Sequence, residues 1–498
     1  MKGKVFLVGA GPGDDQLITL KGLECIKRSD VIVYDRLASK GLLDNRKEEC
    51  ELVYVGKRSS HHTKTQDEIN EIICQRALGG KIVTRLKGGD PYVFGRGGEE
   101  AKYLKDRGID VEIVPGITSA IGGLAYAGIP ITHRDYASSF HVITGHLKDK
   151  DKELDWKVLA KLKGTLVFLM GMGELEHITK KLIENGLKKD TPVAVINWAT
   201  TEKQRVFTGT LRDIYGITLE KGLSSPSIIV IGDVVRLRKD LNFFETKPLY
   251  GKKILVTRAH SQASKLTNKI HELGGTPIEF PVIRIKDLSD QSSIGQEIRR
   301  VNKYNYIIFT SQNGVRLFFR RLFFLGLDMR QLANTTIVAI GKATAREIEK
   351  YHLHVDIVPK EYVAEGIFKE LKDRLRPEDK ILIPRAKNSR DFLVKHLSNL
   401  CFVKELKIYE TLLGEGVESK EEIKGLLRNK GIDYITFTSS STVKNLVKIL
   451  GDTKVLQDVK LVSIGPITSK TIADFGLKVY KQAKNYDIGG LVEVLKED

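Results

Sequence analysis

Short β-rich runs alternate with amphipathic stretches over residues 1–115: "KVFLV" from Lys4, "DVIVY" from Asp30, "ELVYV" from Glu51, "KIVTRL" from Lys81 and "VEIV" from Val111. Such alternation predicts a parallel sheet with crossover helices. Each run is followed by a polar or glycine-rich segment, in order "GAGPG", Asp35-Arg36, "GKR", "KGGDP" and "PGITSA". Ligands of open α/β sheets bind beyond the carboxyl ends of the strands, so these five segments are expected to line one rim. From residue 116 the pattern changes to the small-residue stretch "SAIGGLAYAGIPITHRD" and then to "SFHVITG", "GTLVFLM", "TPVAVINWAT" and "PSIIVIGDVV", with a helix from Leu175 to Asn185. This predicts a second lobe of mixed topology over 116–240, and a ligand cleft bounded by "PGITSA" and "FLMGMG".

The first loop, "GAGPGDD", invites a phosphate reading. A dinucleotide fingerprint needs a third glycine where this chain has Asp14, and Pro12 lacks a backbone N–H that a phosphate cradle would use. An acidic side chain there would face a polyphosphate with like charge. The loop is expected to form a tight turn or to border some other small ligand.

Regular patterning lapses over residues 241–250, read as a linker, and beyond it the chain repeats itself. "KILVTRA" from Lys253 recurs as "KILIPRA" from Lys380, and "FTSQNGV" from Phe309 as "FTSSSTV" from Phe437. "IGKATAREI" from Ile340 recurs as "IGPITSKTI" from Ile464, and "YVAEGI" from Tyr362 as "YDIGGL" from Tyr486. Four ordered matches at nearly one spacing imply two similar α/β domains within 251–498. In both copies a strand runs into Thr-Ser and then a helix. Those hydroxyls suit helix N-caps, and the same helix starts suit carboxylate recognition.

Bulk properties narrow the function classes. At 498 residues, 41% hydrophobic and 29% charged, the chain has room for two to four globular domains. Its net charge of +18 points to an anionic partner, but the lysines are mixed with acids rather than gathered into a basic stripe, which disfavours nucleic acid. Cys25, Cys50, Cys74 and Cys401 are too dispersed for a redox pair or thiolate cluster, and His61, His62, His141 and His146 lack a matching carboxylate pattern, so no metal is expected. No apolar run approaches the roughly 20 residues that span a bilayer, and the first apolar stretch breaks too early for a signal peptide. A cytoplasmic protein without membrane contact is expected.

The ordered motifs "LVGAGPGD", "VIVYDRL", "GKRSSHHTKTQDEIN", "RLKGGDPYVFGRGGEE", "VPGITSAIGGLAYAGIPITHRD" and "FLMGMG" resemble the uroporphyrinogen-III C-methyltransferases of the tetrapyrrole methylase family, over about residues 3 to 238. The resemblance implies a two-lobed α/β fold with S-adenosylmethionine in the cleft and S-adenosylhomocysteine as product. Cofactor contacts would be Pro12, Gly88, Gly89, Asp90, Val93, Thr118, Ser119, Met170 and Ala199. Near Ala199 this chain reads "NWAT" where the family often has a glycine before the threonine. Asp35 matches the family's proposed proton acceptor and Lys57 its proposed donor; Lys57 serves equally well as a carboxylate binder. The substrate would carry eight carboxylates, for which Arg85 and Arg134, with Arg36, Arg58 and Arg96 nearby, are the expected binders.

Residues 251–498 resemble uroporphyrinogen-III synthase through "FTSQNGV", the Ile-Gly-x-x-Thr units and "KIYET". That family's fold is a pair of α/β domains, one of them discontinuous, which sets it against a simple tandem repeat and places chain crossings near 280–286 and 404–410. Tyr409 would assist departure of a hydroxyl, and Thr344, Thr468 and Ser469 would contact substrate. The combined expectation is an α/β bifunctional enzyme that cyclises hydroxymethylbilane to uroporphyrinogen III and methylates it twice to precorrin-2, a precursor of siroheme and cobalamin, with no metal and as a homodimer through the methylase half. An alternative is an active methylase half whose C-terminal half only binds substrate. A nucleic-acid methylase is disfavoured by the missing basic stripe, and a nicotinamide or flavin oxidoreductase by Asp14.

Overall fold

The computed structural model describes residues 3–56, 64–146, 153–257, 260–361, 363–387, 389, 391–414 and 420–497. Lys57, Arg58, His61, His62 and Tyr362 lie outside them. The chain forms two compact units, one of Met1–Lys252 with Glu272–Thr276, the other of Lys253–His271 with Pro277–Asp498.

The first unit opens with strands β1 (Lys4–Gly9), β2 (Val31–Tyr34), β3 (Glu51–Tyr54), β4 (Val83–Lys87) and β5 (Asp110–Val114), arranged in the order β3-β2-β4-β1-β5. Every pairing is parallel. Both faces are covered, with Val5, Leu7 and Val33 packing on one side and Phe6, Val8 and Ile32 on the other. That explains why these runs read as nearly continuous apolar sequence. The second lobe is a sheet of β6 (Phe140–Thr144), β7 (Thr165–Leu169), β8 (Pro192–Asn197), β9 (Arg205–Thr210) and β10 (Ser227–Ile231), in the order β6-β7-β10-β8-β9. Only β6 and β7 run parallel; the other pairs are antiparallel. Strand β9 has no counterpart among the predicted runs, because its "RVFTGT" lies at a sheet edge with no buried position and no exposed–buried alternation. The stretch 241–250, expected to be a linker, instead packs into this unit, with Phe244 and Leu249 buried.

The second unit holds two five-stranded sheets. The first combines β11 (Lys253–Val256) and β12 (Thr276–Glu279) with β18 (Tyr434–Phe437), β19 (Lys460–Ser463) and β20 (Val479–Gln482), in the order β12-β11-β18-β19-β20. The other combines β13 (Ile283–Asp287), β14 (Tyr306–Phe309), β15 (Thr336–Ala339), β16 (Lys380–Ala386) and β17 (Phe402–Leu413), in the order β13-β17-β16-β14-β15. The tandem expectation is therefore corrected. "KILV" of the first copy, as β11, pairs with β18 of the second, and "KILIPRA" of the second copy, as β16, pairs with β14 of the first. Each sequence copy thus gives its first strand to one domain and its second and third to the other. The first crossing falls at Phe280–Val282, inside the expected window. The second falls later than expected, because β17 continues to Leu413 by pairing antiparallel with β13 from Asp287↔Tyr409 to Ile283↔Leu413. The two crossings touch where Gly414 N–H donates to Val282 O at 3.0 Å. A Cβ on Gly414 would lie 1.9 Å from Pro281 O, so the approach requires glycine.

Candidate active sites

In the first unit the loops after β1 and β4 meet beyond the strand ends. Gly11 N–H donates to Gly89 O at 3.2 Å and Gly89 N–H to Gly11 O at 2.7 Å. Gly116, after β5, presses against the same place, and a Cβ on Gly9 would stand 2.5 Å from its Cα. Asp90 braces the rim: one oxygen accepts from Gly116 N at 2.9 Å and the other from Tyr92 N at 2.8 Å. Helix Ser119–Tyr126 follows, N-capped by Thr118. Its glycines let it lie close to both lobes, since a Cβ on Gly122 would meet Pro12 at 3.0 Å and one on Gly123 would meet Ala199 at 3.0 Å. Pro12, Gly89, Asp90, Thr118, Ser119 and Ala199 are thus gathered on one crevice. Gly88 sits beside Leu37, and half-exposed Val93 follows Asp90 in the same loop. Met170 follows β7 at φ +56, directly after Leu169, whose register partner Ile228 packs on Gly123. Phe94, Arg96, Trp198 and Thr200 also hold positive φ. Left-handed non-glycine residues carry strain that concentrates at functional sites.

Asp35, at the end of β2, accepts from Leu37 N at 3.0 Å and from Arg85 Nη2 at 3.0 Å. Arg85 was expected to bind substrate at the rim, and the structure corrects this. It is 4% exposed, and its other nitrogens serve Val33 O, Leu86 O and Glu100. Position 85 points inward because it shares a face of β4 with Val83, under helices Gln66–Leu78 and Gly97–Lys105. Lys87, two residues on, donates to Glu100 Oε1 at 2.8 Å, as does Gln66 Nε2 at 3.0 Å. Glu100 is wholly buried, and its Oε2 has no partner. Burial, reinforced by Arg85, pushes the Lys87 amine below its ordinary pKa. Lys87 and Glu100 were missed in the sequence although a signal was present: Glu100 lies on the same helical stripe as buried Ala101 and Leu104. Arg134 is exposed in the turn closed by His133 and Ala137. Asp14 does not border a ligand as a free carboxylate. It caps the helical turn Asp15–Leu17 and accepts from the Tyr126 hydroxyl at 2.7 Å.

In the second unit, Tyr409 is 6% exposed and its hydroxyl lies 2.9 Å from Ser311 Oγ. Ser311 also caps helix Gln312–Phe324, accepting from Gly314 N at 3.0 Å. Burial raises the phenol's pKa, so it stays protonated at neutral pH. The corresponding cap in the other domain, Ser439, meets Ser441 at 2.9 Å. Thr344 and Thr468 are buried in the first turns of helices Lys342–Glu349 and Pro466–Asp474, begun by Gly341 and Gly465. Ser469 has its hydroxyl engaged, 2.6 Å from Ser463 Oγ and donating to Gln482 at 2.7 Å. Among the described residues no cluster of three or more His, Cys, Asp or Glu could hold a metal, and no helix is long and apolar enough to cross a membrane.

Residues 4–215 match the family described as Tetrapyrrole (Corrin/Porphyrin) Methylases, and residues 264–493 the family described as Uroporphyrinogen-III synthase HemD. The protein named Porphyrin biosynthesis protein HemD from Ruminiclostridium josui is 37% identical over 497 residues, 99% of this chain and 98% of its own length. The chain belongs to the fused methylase–synthase family. Its methylase unit is also similar to the Uroporphyrinogen-III C-methyltransferase of Priestia megaterium, 52% identical over 234 residues, 47% of this chain and 98% of that protein. Among solved structures, Uroporphyrin-III C-methyl transferase from Thermus thermophilus complexed with S-adenyl homocysteine is 39% identical, covering 47% of this chain and 100% of that chain, at a TM-score of 0.41.

Proposed function

We propose that the synthase unit closes hydroxymethylbilane to uroporphyrinogen III, inverting ring D with loss of water. The methylase unit then transfers two methyl groups from S-adenosylmethionine to C2 and C7, giving precorrin-2 and S-adenosylhomocysteine. The observation that carries this reading is the presence, in one chain, of units belonging to two families whose reactions are consecutive.

The crevice fits such a cofactor. The Gly11–Gly89 rim is lined by backbone, and a Cβ added at Gly89 would meet nothing nearer than 3.8 Å, so a flat ring system could lie on it. Pro12, Gly88, Gly89, Asp90, Val93, Thr118, Ser119, Met170 and Ala199 would hold S-adenosylmethionine, which supplies an electrophilic methyl group when bound. Methyl transfer to an electron-rich carbon depends chiefly on alignment. Asp35 then accepts the proton that the ring system, whose methylated carbon itself carries no hydrogen, must shed to restore neutrality. Arg85 is a positioning residue: anchored on two carbonyls and Glu100, it fixes the carboxylate from below. Exposed Arg36 and Arg134 face the substrate's carboxylates. In the synthase unit the Tyr409 phenol donates a proton to the departing hydroxyl, with Ser311 fixing its direction. The backbone N–H groups of the helix starts at Gly341 and Gly465 receive carboxylates.

The direct test supplies hydroxymethylbilane to the full chain with and without S-adenosylmethionine. The type-III macrocycle is expected in both cases, and a product heavier by two methyl groups only with the cofactor. Failure to form the macrocycle removes the synthase assignment, and an unmethylated product removes the methylase assignment.

A further inference from the structure

The segment after the last methylase strand packs against Gln204 and the C-terminal end of helix Ser119–Tyr126. Glu245 accepts from Asn242 Nδ2 at 3.2 Å, from Arg238, and from Gln204 Nε2 at 2.9 Å. Gln204 is 3% exposed and spends its amide completely: Nε2 also donates to Tyr126 O at 3.3 Å, and Oε1 accepts from Thr200 N at 2.7 Å. Thr200 is buried at φ +67, and its hydroxyl accepts from Asp14 N at 3.0 Å. Asp14 in turn receives the Tyr126 hydroxyl, and the Tyr126 ring packs on Phe244 with centroids 4.7 Å apart. Tyr250 returns to the same residue by donating to Gln204 O. These bonds link residues 112 and 186 apart in sequence.

The relay ends on both sides of the crevice. Thr200 follows Ala199, and Asp14 lies two residues after Pro12. A Cβ on Gly13 would stand 2.8 Å from Thr200 Oγ1 and 3.1 Å from Ala199 O, so the opening loop and the second lobe are in close contact here. A left-handed threonine persists only where its surroundings over-determine it. Gln204 and Asp14 do so, and Glu245 orients Gln204.

We propose that the strap of residues 238–250 sets the affinity of the crevice for S-adenosylmethionine, with Gln204 and Glu245 as positioning residues acting through Thr200 and Asp14. This rests on the cofactor reading above. It extends that reading, because it gives a role in cofactor binding to a segment that reads in sequence as a linker and whose charged residues lie outside the family motifs.

The test is calorimetric titration of the full chain with S-adenosylhomocysteine, which reads binding apart from turnover. Glu245→Leu and the isosteric Thr200→Val are expected to weaken binding about tenfold, the factor that loss of one hydrogen bond to a charged or buried group produces. Glu245→Gln, which keeps an acceptor for Gln204, is expected to restore affinity to within about twofold of the native chain. Leu182→Val, in the second lobe's other core, lowers stability without touching the relay and is expected to bind normally. Native affinity in folded Glu245→Leu and Thr200→Val overturns the proposal. So does equal weakening in Leu182→Val, which would mean general loosening. Should the native chain itself not bind S-adenosylhomocysteine, the cofactor reading falls, a result distinct from either of these.

Discussion

In the methylase unit Asp35, just past β2, meets Arg85 and Lys87 of β4 and Glu100 of helix Gly97–Lys105, four charged side chains of which three are nearly or wholly closed to water. The synthase unit instead sets hydroxyls together near helix starts, Ser311 with Tyr409 of β17 in one domain and Ser463 with Ser469 in the other. Each arrangement suits its proposed chemistry. A base that must accept a proton from carbon benefits from a carboxylate fixed by a buried cation, whereas a substrate that ionises readily needs anion-binding backbone and one proton donor. The two differ in how they fail. A buried charge that loses its partner is stranded in low dielectric, whereas a neutral hydroxyl that loses its partner costs less.

The largest effect is therefore expected from Glu100→Ala, which leaves Arg85 with Asp35 alone and strips Lys87 of its carboxylate partner, and costs about 3–5 kcal/mol. Denaturant unfolding followed by tryptophan fluorescence reads this in the methylase unit alone, because both tryptophans, Trp156 and Trp198, lie in it. A loss below about 1 kcal/mol would erase the contrast drawn above. Next comes Arg85→Met, expected to lower kcat for methylation about 10²-fold while leaving the KM for tetrapyrrole nearly unchanged. A raised KM at constant kcat would return Arg85 to substrate binding. In the synthase unit, Ser311→Ala and Ser439→Ala should each cost about 1 kcal/mol as lost caps, measured by hydrogen exchange in the helices they begin. Only Ser311→Ala should also slow ring closure, severalfold; equal slowing by both would mean that the phenol contact is incidental.

The smallest effect is in pH. The folded-state pKa of Tyr409 is raised by burial, so the native state keeps the proton that the unfolded state loses near pH 10. Its contribution to stability is full below pH 10 and falls as pH rises further. Tyr409→Phe should flatten the alkaline limb of the synthase unit's unfolding curve and slow closure without abolishing it.

Much of this was legible in the chain. The segments that follow β1, β2, β4 and β5, the failed phosphate fingerprint and the internal repeat follow from local pattern, since strand period and turn residues are local properties. Less was legible where two distant elements meet. Arg85 shares its motif with "KGGDP", yet its side chain turns under the sheet because strand parity places it with Val83. Asp14 marks the failed phosphate fingerprint in the sequence, but its partner, the Tyr126 hydroxyl, lies 112 residues away. The stretch 241–250 lacks periodicity, and it packs through single contacts from Phe244, Leu249 and Tyr250 that no period announces.

By itself, then, the sequence determined the α/β class, the two halves, the families and the residues that follow the strands of the first sheet. Tertiary structure alone decided that each repeat is divided between two domains, that Arg85 serves Asp35, and that Gln204 joins the strap to the crevice. The physical reason is the reach of the forces concerned. Backbone geometry and apolar periodicity act over a few residues and are written in order along the chain. Pairing of strands, burial of charge and hydrogen bonds such as that between Asp14 and Thr200 join positions whose separation only the packed core makes short.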